Sequence, residues 1–131
     1  MNDKSFFDTN IILYSYSEIP EPKMDIAKNL ISNSIGIIST QVLQEICNIL
    51  IKKFKFDEVS ILKTLLEVND NFIVEINNPE TINRALSIHF KYGFAYYDSL
   101  IIASALQNEC SVLYSEDLQL KQKNRKIFNH H

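Results

Sequence analysis

The chain has 131 residues, 46% of them apolar or aromatic and 22% charged, enough for one domain to bury a core without disulfide or metal staples. No apolar run approaches the ~20 residues of a membrane span, which excludes a membrane partner of that kind. A formal charge of −3 argues against a protein that coats nucleic acid through an excess of Lys and Arg.

The chain opens with Met1-Asn2-Asp3-Lys4, and Asp8 cuts the apolar run that follows too early for a secretory signal, which predicts a cytoplasmic location. Ser5-Phe6-Phe7 reads as a short buried strand ending at Asp8. A second apolar burst, Ile11-Ile12-Leu13-Tyr14, precedes a loop punctuated by Pro20 and Pro22. Met24, Ile26, Ala27, Leu30 and Ile31 then fall at helical spacing, predicting a helix over Met24–Asn33. Gly36-Ile37-Ile38-Ser39 is a compact strand. Thr40 is placed to cap the helix after it, whose broad apolar face carries Val42, Leu43, Ile46, Cys47, Ile49 and Leu50. Glu45 lies one to two turns into that helix, and Lys52, Lys53 and Lys55 close it, as the helix dipole favours.

Asp57 is expected to cap a further helix through Val68, followed by a strand over Phe72-Ile73-Val74-Glu75-Ile76. Pro79 takes a first-turn position in a helix that continues through Ile82, Ala85, Leu86, Ile88, His89 and Phe90 to about Tyr92, with Gly93 as its stop. The helix from Tyr96 to Asn108 is apolar nearly all round over 100–106, which predicts deep burial against a sheet, with Tyr97 in the core beside it. Ser111-Val112-Leu113-Tyr114-Ser115 is a fourth strand, Glu116-Asp117 follow it, and Lys126-Ile127-Phe128 reads as a fifth.

Without repeats or linker-like tracts, residues 1–131 form a single domain, with His130-His131 read as a tag remnant. Cys47 and Cys110 read as reduced core thiols, and the three histidines support no histidine site. Short Ile, Val and Phe strands alternating with helices imply parallel βαβ units. The fold class is therefore α/β, a three-layer α/β/α sandwich around a mostly parallel sheet of four to five strands.

In such a fold, ligands bind in the crevice beyond the carboxyl ends of the strands. Asp8 ends the first strand and Asp117 lies just past the fourth, while Glu45 and Asp98 occupy early turns of helices that flank the same edge. Taken singly, each has an ordinary role. Asp8 and Glu116-Asp117 fit turn chemistry, Asp98 fits a helix cap, and Glu45 fits a solvated helix stripe. Taken together, they crowd carboxylates into one crevice, a cost that proteins tolerate mainly when a cation offsets it. Oxygen-only ligands suit Mg²⁺ or Mn²⁺ rather than zinc. Ions so held activate water and orient a phosphate, so phosphodiester hydrolysis is the natural reaction. The net negative charge does not exclude a nuclease, because bound divalent cations reverse the local field.

The segments Phe7-Asp8-Thr9-Asn10, Ser39-Thr40-Gln41-Val42-Leu43-Gln44-Glu45, Tyr97-Asp98-Ser99-Leu100-Ile101-Ile102-Ala103-Ser104-Ala105 and Leu113-Tyr114-Ser115-Glu116-Asp117-Leu118-Gln119 resemble the four signature blocks of PIN-domain proteins, in the family's order. The resemblance is to the branch that serves as ribonuclease toxins in bacterial toxin–antitoxin pairs. It implies an RNA substrate, Mg²⁺ or Mn²⁺ as cofactor, a homodimer, and a small antitoxin protein as partner. It makes Asp8 the central metal ligand, Asp98 and Asp117 further ligands, Glu45 a ligand or the holder of a water on the metal, and Glu116 a supplementary ligand. Thr9, Asn10 and Ser115 match polar positions that support the acids through hydrogen bonds. The chain departs from many relatives at Lys121, where they carry a glycine, and in its ending Asn129-His130-His131.

The basic run Lys121, Lys123, Arg125 and Lys126 reads either as a phosphate track beside the metals or as a solvated surface. Tyr14, Tyr96 and Tyr97 are candidates for stacking on unpaired bases. The alternative from another class is a catalytically inactive PIN module that binds nucleic acid or a protein partner, against which the intact acids at all four positions weigh. A haloacid-dehalogenase-like phosphatase needs a second Asp two residues after the first, and Asn10 stands there.

Overall fold

The computed structural model describes residues 4–16 and 22–115. Four strands, β1 (Lys4–Phe7), β2 (Ile35–Ser39), β3 (Ile73–Glu75) and β4 (Val112–Tyr114), form one sheet in the order β3-β2-β1-β4. Every pairing is parallel, with Phe6 opposite Ile37 on one side and opposite Leu113 on the other. The α/β class follows, with parallel strands joined through helices.

The helices are α1 (Thr9–Ser15), α2 (Pro22–Ser32), α3 (Thr40–Lys52), α4 (Glu58–Asn71), α5 (Pro79–Tyr92) and α6 (Tyr96–Gln107). The connections β1→β2 and β2→β3 step the same way along the sheet, whereas β3→β4 returns across it. Right-handed crossovers therefore set α1 to α4 on one face and α5 with α6 on the other, which makes three layers. The packing agrees: α1 touches α2 and α3, α3 touches α4 and β2, and α5 lies along α6, which rests on β2 and β4.

The strands are nearly continuous apolar runs because both sheet faces are covered. Phe6, Phe7, Ile37 and Ile38 are buried, as is the whole of α6 from Ser99 to Ala105. Phe7 stacks on Tyr114, with ring centroids 5.2 Å apart, and meets Phe72 edge-on at 5.7 Å. Gly36 makes room for that cluster, since a Cβ there would stand 2.7 Å from Phe72 Cδ1. Cys47 and Cys110 are free thiols, and Cys110 is fully buried. Among the described residues no helix is long and apolar enough to cross a membrane.

Helix ends follow local chemistry. Asp57 caps α4 by accepting from the Ser60 N–H at 2.8 Å, Asn78 and Thr81 form a reciprocal capping box on α5, and Gly93 ends α5 at φ 80°. Three expectations need correction. Ser39, not Thr40, takes the cap position of α3, and its buried hydroxyl makes no hydrogen bond; Thr40 is the first helical residue. The helix expected to end at Val68 runs on to Asn71, because the Phe72 N–H donates back to the Val68 carbonyl. That leaves β3 with only Ile73–Glu75. The strand expected over 126–128 lies outside the described residues, as do Glu116 and Asp117.

Candidate active site

The strand order reverses beside β1, between β2 on one side and β4 on the other, and that is where an open parallel sheet leaves a crevice. β1 delivers Asp8 to it. The Asp8 N–H donates to the Tyr114 carbonyl at 2.9 Å, which continues the β1–β4 pairing to the carboxyl edge. The Asp8 carboxylate then turns back on its surroundings. Oδ1 accepts from the Thr9 N–H at 2.7 Å, capping α1, and Oδ2 accepts from the Ser115 hydroxyl at 2.8 Å. One aspartate thus serves the turn chemistry read for it in isolation and also faces the crevice.

Glu45, the sixth residue of α3, and Asp98, the third of α6, line the same cavity as Asp8, which measures about 300 Å³. The two helices lie in opposite layers and meet at the cavity. Gln41 links them there, its Nε2 donating to Glu45 Oε2 at 3.1 Å and to the Tyr97 carbonyl at 3.3 Å. The Thr9 hydroxyl donates to Glu45 Oε1 at 2.5 Å, so the residue that follows Asp8 positions the acid of another helix. Asp98 is not the cap of α6, since Ala95 holds that position. Asn10, Asn48, Ile49 and Ile101 complete the wall.

Among the described residues that line this cavity, none is Lys, Arg or His. Burial raises the Asp8 carboxyl above its ordinary range; the Thr9 N–H and the Ser115 hydroxyl pull it back, and the charges of Glu45 and Asp98 push it up again. Among the described residues the acids line the cavity without closing into a set of three metal-ligating side chains. Two features of the wall nevertheless fit a hard divalent cation. The donors are all oxygens. Gln41 is 6% exposed and its Oε1 is buried without a hydrogen-bond partner, a polar acceptor left for something the cavity would hold.

Thr9, Asn10 and Ser115 therefore stand with the described acids, Thr9 and Ser115 through hydrogen bonds to them and Asn10 in the cavity wall. Asp117, Glu116 and the basic positions Lys121, Lys123, Arg125 and Lys126 lie outside the described residues. Tyr97 corrects an expectation: it is 68% exposed and lines the cavity rather than joining the core, because the buried run of α6 begins only at Ser99. The importance of Gln41 was not read from the sequence. Its signal was its position one turn before Glu45 on the same face of α3.

Residues 5–126 match the PIN domain family. The chain belongs to that family. No curated protein matches it. Among solved structures it is similar to VapC20 of Mycobacterium tuberculosis, a toxin that cleaves the sarcin–ricin loop, with a TM-score of 0.70 at 14% identity over 88% of this chain and 93% of that one. At that identity the likeness speaks for the fold.

Proposed function

We propose that the protein is a metal-dependent endoribonuclease, the cytoplasmic toxin of a toxin–antitoxin pair. The observation that carries this reading is the meeting of Asp8, Glu45 and Asp98, from a strand end and two helices of opposite layers, in one cavity. A binding module has no use for the repulsion this creates. The structural likeness to a toxin that cuts RNA supports the choice of substrate.

In this reading Asp8, Glu45, Asp98 and Asp117 would hold one or two Mg²⁺ or Mn²⁺ ions, with Glu116 as a supplementary ligand. Bound there, such an ion supplies Lewis acidity to the scissile phosphate and lowers the pKa of a water. The chain's own groups do the rest. Ser115 and the Thr9 N–H fix both oxygens of Asp8, and Thr9 with Gln41 fixes Glu45, so neither carboxylate must be ordered when substrate arrives. Asn10 and Asn48 offer neutral hydrogen bonds at the cavity wall, and Tyr97 offers an exposed ring against which an unpaired base can stack. Lys121, Lys123, Arg125 and Lys126 belong to this reading as a phosphate track. A homodimer and a small antitoxin protein belong to it too, and Ile82, Leu86 and Phe90, spaced four apart and exposed on α5, give an apolar stripe suited to self-association.

The alternative is an inactive module that binds RNA without cutting. Purified protein incubated with single-stranded and structured RNA, in Mn²⁺ or in EDTA, separates the two. Cleavage in Mn²⁺ that EDTA abolishes supports the nuclease; intact RNA under every condition supports the binding module.

A further inference from the structure

The face of α3 that lines the cavity does not stop at the cavity. Gln41, Glu45, Asn48 and Ile49 turn toward it, and Lys52, the last residue of α3, continues the same stripe one turn beyond Asn48. At 1.5 Å per residue, Lys52 lies about 10 Å along the helix from Glu45. The chain then leaves the helix as Lys53-Phe54-Lys55-Phe56, which places three lysines and two phenylalanines within five consecutive positions of a protein whose net charge is −3.

All five side chains are exposed, Phe54 at 46% and Phe56 at 41%, although a folding chain ordinarily turns such rings inward. The two rings are neighbours, with centroids 6.1 Å apart and planes inclined at 56°, and the Lys53 ammonium lies 5.7 Å above Phe54. The backbone also departs from the ordinary here. Lys55 adopts φ 56°, a left-handed conformation that glycine takes readily and lysine does not. The turn is pinned by the Phe54 N–H on the Ile49 carbonyl and the Phe56 N–H on the Leu50 carbonyl. A strained turn that keeps two aromatic rings in water, interleaved with cations, is the kind of local cost that marks a contact surface.

We propose that this α3 exit, Lys52 to Phe56, is the outer half of the RNA site: single-stranded RNA leaving the cavity follows the α3 stripe, its phosphates on Lys52, Lys53 and Lys55, its bases on Phe54 and Phe56. The proposal deepens the ribonuclease reading and rests on it for the choice of polymer. Two features of the patch select RNA over other occupants. The lysines complement phosphate, and the patch is continuous, through one helix face, with the cavity where the reacting phosphate would lie. Aromatic rings interleaved with cations are also what a flexible single strand uses, since every base offers a flat face while the backbone tracks the charge. A duplex would hide its bases from the rings.

The test is fluorescence anisotropy with a fluorescein-labelled 14-nucleotide single-stranded RNA of mixed sequence, in EDTA so that binding is read without cutting. The proteins are the full chain, F54A/F56A, K52Q/K55Q and the remote lysine control K28Q on α2, each checked for an unchanged thermal melt and for its oligomeric state by light scattering. The phenylalanine pair is expected to weaken binding about tenfold or more. The lysine pair is expected to weaken it and to lower the slope of log affinity against log salt by about 1.4, near 0.7 for each lost phosphate contact. K28Q should match wild type, and duplex RNA of equal length should respond to the lysines but not to the phenylalanines. Variants that bind single strands within twofold of wild type would overturn the proposal. So would substitutions that alter only the oligomeric state, which would assign the patch to a protein contact. Because binding is read without metal, the two readings can fail separately. Loss of binding in the variants of a protein that never cuts leaves this surface standing, whereas efficient cutting by a protein whose variants bind normally removes this surface alone.

Discussion

The Thr9 hydroxyl donates to Glu45 Oε1 across 36 positions of sequence, while the Thr9 N–H donates to Asp8 Oδ1. One buried threonine therefore fixes acids contributed by a strand end and by a helix, and it does so from the first turn of α1. Glu45 shares its second oxygen with Gln41, so its carboxylate is held from two sides before any ligand arrives.

Thr9→Ala keeps the backbone donor and deletes the hydroxyl. RNA cleavage should fall about 10- to 100-fold, the usual consequence of removing a hydrogen bond that orients a metal-binding carboxylate. Thr9→Ser restores the hydroxyl and should recover most of the loss. Equal rates for Thr9→Ala and wild type, measured on the same oligonucleotide in Mn²⁺, would mean that Glu45 needs no help from Thr9.

Gly36 is set by packing rather than by backbone conformation. A methyl group there meets Phe72 Cδ1 at 2.7 Å and Cε1 at 2.9 Å, and Phe72 is buried against Phe7. Gly36→Ala should cost about 1–3 kcal/mol, lowering Tm by about 3–10 °C. Adding Phe72→Leu should make the penalty of the alanine smaller. A melting curve for Gly36→Ala that overlays wild type would show that the ring moves aside freely.

Burial pushes the Cys110 thiol up to about 12 from its ordinary value of 9.0, with Lys4 pulling it down and Glu75 pushing it further up. Between those two values the native chain holds a proton that the unfolded chain has released. Stability linked to this thiol is therefore complete below pH 9.0 and declines as pH rises toward 12. Denaturant unfolding of wild type and Cys110→Ala across that range should show the steeper alkaline decline in wild type. Parallel curves would place the thiol nearer to solvent. In native protein near neutral pH, iodoacetamide should modify Cys47, which is partly exposed, well before Cys110.

Much of the fold was legible because local signals and tertiary demands agree. The apolar runs at Ser5-Phe6-Phe7 and Gly36 to Ser39 are strands, Pro79 and Gly93 bracket a helix, and the all-round apolar stretch of α6 is buried. Errors arose where neighbours decide. Thr40 has good capping chemistry, but the chain enters α3 one residue earlier, straight from β2. Tyr97 lies next to a run of core residues, yet that run begins only at Ser99 and Tyr97 lines the cavity. Asp8, Glu45 and Asp98 were legible as candidates through their places at a strand end and in early helix turns beside one sheet edge, and through the resemblance of their segments. No periodicity reveals that they share one cavity, because that depends on how β1, α3 and α6 meet across the sheet edge. Gln41 was passed over for the same reason, since its place one turn before Glu45 gains meaning only once its partners are known.

Asp98→Asn removes one of the charges that raise the Asp8 carboxyl. In EDTA the substitution should lift Tm by about 1–3 °C, through relief of like-charge repulsion, while cleavage in Mn²⁺ is lost. A clear fall in Tm would identify Asp98 as a structural group of α6 rather than part of an electronegative cavity.

Calorimetric titration of Mn²⁺ into wild type, Asp8→Asn and Asp98→Asn addresses the cation site most directly, because it reads binding at the acids without requiring the right RNA. Wild type should bind with saturable heat and each variant at least tenfold more weakly. Equal Mn²⁺ affinity in all three proteins, or no saturable binding by wild type, would contradict a divalent-cation site built on Asp8 and Asp98.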